Sequence, residues 1–379
     1  MKVWLMLLVA ACKFEHGAGG DAGVSDVVDA EIDAMPDAPD PNCFGKTPFL
    51  VCLQTLPTVS FTMPMAVNTS STGMSSCPVL GGEVKTVGGV ESCVIAGVDI
   101  TIDAANVGVF GARPLVVVAT GTISISSPSF DITSRSAMPA SDGPNANPPQ
   151  CSTDASRDGT SATGGGGGGA GGSFGGKGSN GGGGAGAATS GGVAASLDPS
   201  FNMLRGGCRG GTGGAGQSTT ATGGSGGGAV YIASQTAINI TGSINASGAG
   251  GFGGQGPRGG GGGGGSGGMI VLYAPTLTVG AAARIFANGG GGGGGAGNST
   301  NDGSPGSDAI APDTAAPGGI AGDIQGTAGG SGAFKSVPAG VVAGAAQGGG
   351  GGGGGVGVIR ILSGQSVPAI NVSPAPILN

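Results

Sequence analysis

The chain has 379 residues, and 92 of them, nearly a quarter, are glycine, against an average of about 7% in proteins. Charged residues make up 9% and aromatic residues 4%, and the only histidine (His16) and tryptophan (Trp4) lie near the N-terminus. A body without histidine cannot build a Ser-His-Asp or Cys-His nucleophile system, nor a histidine-based metal site. We therefore expect no enzyme activity, no cofactor and no metal.

The formal net charge of −7 arises in one short segment. Between Lys13 and Pro41 eight acidic residues accompany a single lysine, whereas the 13 acids that follow are nearly matched by 12 bases. Binding to nucleic acid needs a clustered basic face, which this distribution does not supply. We therefore do not expect nucleic acid as a partner.

The N-terminus predicts a lipoprotein signal peptide over residues 1–12. Lys2 precedes an apolar run at residues 3–11, which is too short to span a bilayer but is typical of a signal-peptide h-region. The small residues before Cys12 resemble a bacterial lipobox, in which the cysteine becomes the lipidated first residue. The alternatives are an ordinary signal peptide with an incidental cysteine, or a short buried strand. With Cys12 lipidated, the expected location is the outer membrane, cell surface or periplasmic face, with the lipid as the membrane anchor.

Residues 13–42 predict a disordered acidic tether. Aspartate recurs every fourth residue at Asp29, Asp33 and Asp37, each followed by alanine, and like charges at this spacing oppose a helix. Prolines and a high net charge with few large apolar residues favour an extended, self-repelling linker.

Six cysteines remain once Cys12 is assigned to the lipid, and an even number in an exported chain predicts disulfides. Six cysteines allow 15 connectivities. Because short loops close easily, we favour pairing between sequence neighbours: Cys43–Cys52, Cys77–Cys93 and Cys151–Cys208.

Beyond Asn42 a pattern of short apolar runs recurs, each followed by segments in which apolar and polar residues alternate. The runs are at residues 94–96, 115–119, 229–233, 269–274 and 358–362. Repeated short strands without helical periodicity predict an all-β fold, specifically a right-handed parallel β-helix or β-solenoid whose coils stack on one another. We divide it into disulfide-containing N-terminal coils at 43–162 and a glycine-rich region at 163–379.

Glycine-dense segments interrupt the predicted coils, with unbroken glycine runs at 164–169, 259–265, 289–295 and 348–355. Two alternatives remain open from the sequence. The runs are either flexible surface loops, or polyglycine-II-type helices with three residues per turn that pack side by side, which only glycine permits.

The whole pattern resembles the glycine-rich lipoproteins of myxobacterial type that occur in predatory and gliding soil bacteria. These also combine a lipobox, an Asp-Ala-rich tether and blocks such as those at 113–119, 226–233 and 264–275. The resemblance covers most of the chain, but it implies no activity and no functional residues.

Three carboxylates are candidates for a polysaccharide-cleaving site. Asp99, Asp103 and Asp131 lie on neighbouring predicted coils, with Arg113 or Arg135 nearby, and glycosidases use two carboxylates about 5–10 Å apart. Their alternation with isoleucine favours solvated outer positions instead. A turn at 303–308 with Asp302 and Asp313 has too few ligands for calcium, and Gly171–Lys177 lacks the Ser or Thr and the helix of a phosphate loop.

The sequence thus favours a non-catalytic lipoprotein of the cell envelope, a structural or adhesive surface element. Its expected partners are the membrane, through the lipid, and extracellular polysaccharide or other cells. The alternative is a polysaccharide-degrading or polysaccharide-binding protein, and ice binding by packed glycine helices is a third idea.

Overall fold

The computed structural model describes residues 40–70, 72, 76–136, 141–152, 156–186, 189–197, 201–340, 342, 344, 347–363 and 371–379. Pro41–Asn379 forms one compact unit. The predicted signal peptide, the lipid site Cys12 and the tether up to residue 39 lie outside the described residues. Within the described ranges, no helix has the length and apolar character needed to cross a bilayer.

The described residues form short strands and one 3₁₀ turn, Pro149–Ser152. In chain order the strands are β1 (Cys43–Phe44), β2 (Val51–Cys52), β3 (Phe61–Thr62), β4 (Ala66–Asn68), β5 (Glu83–Val87), β6 (Val90–Gly97), β7 (Ile100–Ile102), β8 (Val107–Phe110), β9 (Leu115–Ala119), β10 (Thr122–Ile125), β11 (Phe130–Asp131), β12 (Ala229–Ser234), β13 (Ala237–Ile240), β14 (Ser243–Asn245), β15 (Met269–Tyr273), β16 (Thr276–Val279), β17 (Arg284–Phe286), β18 (Val358–Ile361), β19 (Val372–Ser373) and β20 (Ile377–Leu378).

Three sheets contain all of these strands except the β1–β2 hairpin. Sheet I has the order β16-β13-β10-β7-β3, sheet II has β19-β17-β14-β11-β8-β4, and sheet III has β20-β18-β15-β12-β9-β6-β5. From β6 to β18 the chain adds strands to sheets III, I and II in turn, and every neighbouring pair among these strands is parallel.

Sheet I shows how the period-2 pattern becomes a core. In β7, β10 and β13 the isoleucines are buried while the polar residues between them are partly exposed. In-register pairing places Ile123 beside Ile100 and Ile238, so that like residues stack along the sheet. These columns belong to a central cluster that also includes the inward residues of sheets II and III.

Sheet III has central strands, β9, β12 and β18, that are buried on both faces, which explains their continuous apolar runs. Its outer face carries a second apolar cluster, covered by residues of the N-terminal hairpin, among them Phe44 and Phe49. The Tyr231 ring lies in this cluster, 5.9 Å from the Phe49 ring centre, and its hydroxyl has no hydrogen-bond partner among the described residues. Gly45 has a φ of +90°, and a Cβ there would lie 1.8 Å from the Tyr231 hydroxyl oxygen. A side chain at position 45 would therefore force the hairpin off Tyr231.

The glycine-rich segments 157–186, 189–195, 205–228, 246–268, 287–340 and 347–357, which we call the glycine block, are hydrogen-bonded to one another. Three of their runs are parallel, and each bonds to the other two at every third residue. The bonds from N–H to carbonyl are Gly166 to Arg258, Gly169 to Gly261, Gly172 to Gly264, Gly261 to Gly349, Gly264 to Gly352, Gly349 to Gly166 and Gly352 to Gly169, all 2.8–2.9 Å. A spacing of three is that of polyproline-II-type chains. Of the two alternatives for the glycine runs, the structure has the packed one rather than flexible loops.

Glycine is required in this packing for a steric reason. A Cβ at Gly263 would lie 1.9 Å from the Ala170 carbonyl oxygen, and one at Gly264 would lie 2.1 Å from that of Gly290. Neighbouring backbones occupy the space where a side chain would begin. Alanine enters the block at a few buried positions, such as Ala170 and Ala296.

The predicted fold class, a right-handed parallel β-helix or β-solenoid interrupted by glycine-rich insertions, is wrong. The three sheets are open and differ in strand number, and sheet III is mixed because β5 runs antiparallel to β6. The β1–β2 hairpin is a separate antiparallel sheet. The glycine segments are a packed layer in their own right rather than insertions between coils. Alternation predicts strands but not their partners, and a glycine run has no side chains to reveal its packing.

The structure contains the three disulfides in the expected pairing: Cys43–Cys52, Cys77–Cys93 and Cys151–Cys208. The first joins directly opposed residues of the β1–β2 hairpin. The second anchors the turn before β5 to β6, and the third joins the 3₁₀ turn to the glycine block. The buried Arg205 guanidinium lies beside the third disulfide, 4.1 Å from the centre of the Phe174 ring.

Candidate functional site

The structure does not assemble the predicted carboxylates into one site. Asp99 precedes β7 and accepts a 2.7 Å hydrogen bond from the Thr122 N–H. Asp103 follows β7 and is exposed, and the three residues of β7 between the two aspartates place their Cα atoms about 13 Å apart. That exceeds the carboxylate spacing of glycosidases.

Asp131 lies in a different sheet and is already engaged. It is buried in β11, where it accepts hydrogen bonds from the N–H and hydroxyl of Thr133 and forms an ion pair with Arg135. Arg113, the other predicted basic neighbour, lies 3.6 Å from Glu91 instead. The geometry gives Asp131 and Asp99 structural partners rather than a shared reaction centre.

A polar groove crosses the outer face of sheet II beside these residues. Its cavity of about 570 Å³ lies over β14 and β17 and is within the size range of known ligand pockets. Arg284 and Ser243 are register partners on its floor. Further hydroxyl and amide groups line it at Ser126, Ser129, Thr241 and Asn245.

Two arginines line this groove and differ in their partners. Arg135 uses its Nε and one Nη2 hydrogen on Asp131, and its side chain remains 43% exposed. Arg284 is exposed at the first position of β17 and has no ion pair within the described part of the chain. Among the described residues, no acidic side chain lines the cavity. The groove therefore offers one uncompensated positive charge among neutral hydrogen-bonding groups.

A second cavity of about 310 Å³ adjoins the first, because Arg135 lines both. It extends the groove onto the glycine block, past Arg209, to the ring of Phe252, which is 38% exposed. Asp142 also lines this part and offsets one of its positive charges. The two cavities together form an elongated depression rather than a single closed pocket.

One wall of the groove comes from the segment around Ala309 and Ile310, and the side chains of the partly buried Asp308 and the buried Asn288 hold it in place. Asp308 accepts hydrogen bonds from the Ser136 N–H and hydroxyl and from the Gly250 N–H at 2.8–3.2 Å. The Asn288 side chain donates a 2.9 Å bond to the Ala311 carbonyl. The Asp308 carboxylate therefore fixes the wall of the groove. The described residues contain no group of three or more side chains that could hold a metal ion.

Sequence reasoning named Arg135 but missed Arg284, Arg209 and Phe252. A signal was available for Arg284, because an arginine that alternates with the buried Ile285 must point outward. Nothing in the sequence linked it to Arg135, which lies almost 150 positions earlier. Comparison with known proteins found no matching family model, no matching curated protein and no matching solved structure.

Proposed function

We propose that the protein is a non-catalytic structural or adhesive element of the cell envelope, exported and held at the membrane by a lipid on Cys12. The observation that carries this proposal is the glycine block. Backbone bonds at every third residue join segments from distant parts of the chain. Such packing favours a stiff body with broad, repetitive surfaces, which suits contact with extended polymers or other cells.

The three disulfides support the exported location. Disulfides persist in oxidising compartments such as the periplasm and the cell surface, and are rare in reducing cytosol. Two of them tie elements of the N-terminal sheets, and the third ties the glycine block to the 3₁₀ turn. A domain that operates outside the cell gains resistance to unfolding from such links.

The test is protease shaving of intact cells with membrane fractionation. Wild-type protein should lose its 43–379 body to protease and sediment with membranes, whereas Cys12→Ser should lose membrane attachment. Lys13→Arg, which leaves Cys12 in place, is the matched control and should behave as wild type. Attachment that survives in Cys12→Ser, or free thiols in a cytosolic protein, would refute the proposal. Protection until the outer membrane is broken would place the protein in the periplasm and remove the adhesive role.

A second candidate, polysaccharide binding, is favoured by the groove over sheet II. Hydroxyl, amide and guanidinium groups converge there on an elongated surface, as recognition of a polyhydroxylated chain requires. Incubation of the purified protein with polysaccharides tests cleavage separately. Release of new reducing or unsaturated ends that is lost in the Asp99, Asp103 and Asp131 triple alanine variant would establish degradation instead.

A further inference from the structure

The groove over sheet II has the features of a prepared binding site. Its floor is formed by the paired strands β14 and β17, and its wall is fixed by Asp308 and by Asn288, which is fully buried. A site with rigid walls loses little conformational freedom when a ligand binds. The arrangement of its polar groups therefore indicates which chemical groups a fitting ligand carries.

Arg284 is the strongest indication of the ligand's charge. Its guanidinium has no carboxylate partner in the part of the chain that the structure describes, and it presents donors in a fork that matches a carboxylate. Beyond Pro41 the chain has only 12 basic residues, and two of them, Arg135 and Arg284, line this cavity. The register partner Ser243 lies one strand away, about 4.8 Å, and supplies a hydroxyl next to it.

The rest of the groove is suited to hydroxyl groups. Arg135 keeps three of its five N–H donors after pairing with Asp131, and Ser126, Ser129 and Thr241 add hydroxyl groups. Further along, the exposed Phe252 ring offers an apolar surface to the C–H face of a sugar ring. The adjoining second cavity gives the length that a chain of several sugars needs.

We propose that this groove binds a carboxylated polysaccharide, with a uronic acid carboxylate on Arg284 and the hydroxyls of neighbouring sugars along the row towards Arg135 and Phe252. This inference rests on the adhesive function proposed above and names its ligand class. Arg284 is a binding residue, and the Arg135–Asp131 pair is a fixed donor group. The charges that face the site are Arg284, Arg135 with Asp131, and, in the second cavity, Arg209 with Asp142.

The experiment is calorimetric titration of the full chain carrying Cys12→Ser with trigalacturonate at low salt. The protein with an unchanged groove should bind trigalacturonate. Arg284→Gln should weaken this binding about tenfold or more, because a charged bidentate contact is lost. Arg157→Gln is the matched control, since Arg157 is exposed and lines neither cavity, and its affinity should not change. Added salt should weaken the binding of trigalacturonate but not that of its methyl ester.

Three results would overturn the inference: no binding of trigalacturonate, equal affinity of Arg284→Gln and wild type, or equal affinity for the methyl ester. Binding of galacturonate monomer as tight as that of the trimer would show a small-carboxylate site and would also overturn the polymer assignment. Arg284 is exposed and unpaired, so its variant should keep the wild-type unfolding curve. If trigalacturonate does not bind but protease shaving shows the protein at the cell surface, only the binding role of the groove is refuted. If trigalacturonate binds but protease shaving shows that the protein is not exposed on the cell, only the adhesive function is refuted.

Discussion

Replacing Gly264 by alanine tests whether the glycine block is a packed layer. The Gly264 N–H donates a 2.9 Å bond to the Gly352 carbonyl, and its own carbonyl accepts a 2.8 Å bond from the Gly172 N–H. The added Cβ would lie 2.1 Å from the Gly290 carbonyl oxygen and 2.6 Å from its carbon. Backbone, not a flexible side chain, occupies the space, so the neighbouring run must move by about 1 Å to bring the contact above 3.0 Å.

The magnitude follows from three contributions. Overpacking costs about 1–3 kcal/mol, and weakening the two hydrogen bonds costs about 1 kcal/mol each. Alanine lowers the conformational entropy of the unfolded chain, which stabilises the folded state by about 0.4–1 kcal/mol. Gly264→Ala should therefore lower the free energy of unfolding by about 3 kcal/mol.

Urea and thermal unfolding, followed by circular dichroism, measure this difference. Gly108→Ala in β8 is the matched control, because its nearest neighbour is the Met65 carbonyl oxygen at 3.9 Å. We expect the control to be unchanged or stabilised by about 0.5 kcal/mol. Equal unfolding midpoints for Gly264→Ala and Gly108→Ala would refute the packed layer and favour mobile loops.

Two further predictions concern the disulfides and the buried phenol. Replacing Cys151 and Cys208 together by serine opens a loop of 57 residues and should lower the free energy of unfolding by about 4 kcal/mol. The same change at Cys43 and Cys52 opens a loop of nine residues and should lower it by about 2.5 kcal/mol. Urea midpoints of the two variants in the reverse order would contradict this. Burial, with a smaller contribution from Tyr273, raises the pKa of Tyr231 above its usual range. The neutral buried phenol therefore stabilises the fold fully below about pH 10, and this stability is lost as the pH rises further. Tyr231→Phe should flatten that alkaline decline in unfolding midpoint, and an unchanged decline would show that Tyr231 does not cause it.

Part of the architecture follows from local patterns. The alternation in Ile123-Ser124-Ile125 and the run Leu115–Ala119 predict strands where β10 and β9 occur, because burial of one or both faces selects these patterns. The cysteine pairing likewise follows from proximity along the chain. The antiparallel elements of the fold do not follow from these patterns, because the prediction of a regular solenoid omitted the β5–β6 edge and the β1–β2 hairpin.

The candidate site depended on tertiary structure almost entirely. Arg135, Arg284 and Phe252 are separated by more than 100 positions or by a glycine run, and only the parallel stacking of β11, β14 and β17 brings them to one groove. The predicted carboxylates were chosen for their chemistry, but hydrogen bonds to Thr122 and Thr133 give Asp99 and Asp131 structural roles. A sequence shows which groups are available but not which are already paired.

The sequence by itself determined the strand segments, the disulfide pairs and the near-neutral, histidine-free body, because these depend on local alternation, short loops and composition. Tertiary structure decided the open sheets, the groove and the order of the glycine block. The physical reason is the same in each case. A backbone hydrogen bond such as that from Gly169 to Gly261 joins groups 92 positions apart, and glycine, having no side chain, carries no pattern that specifies its partner.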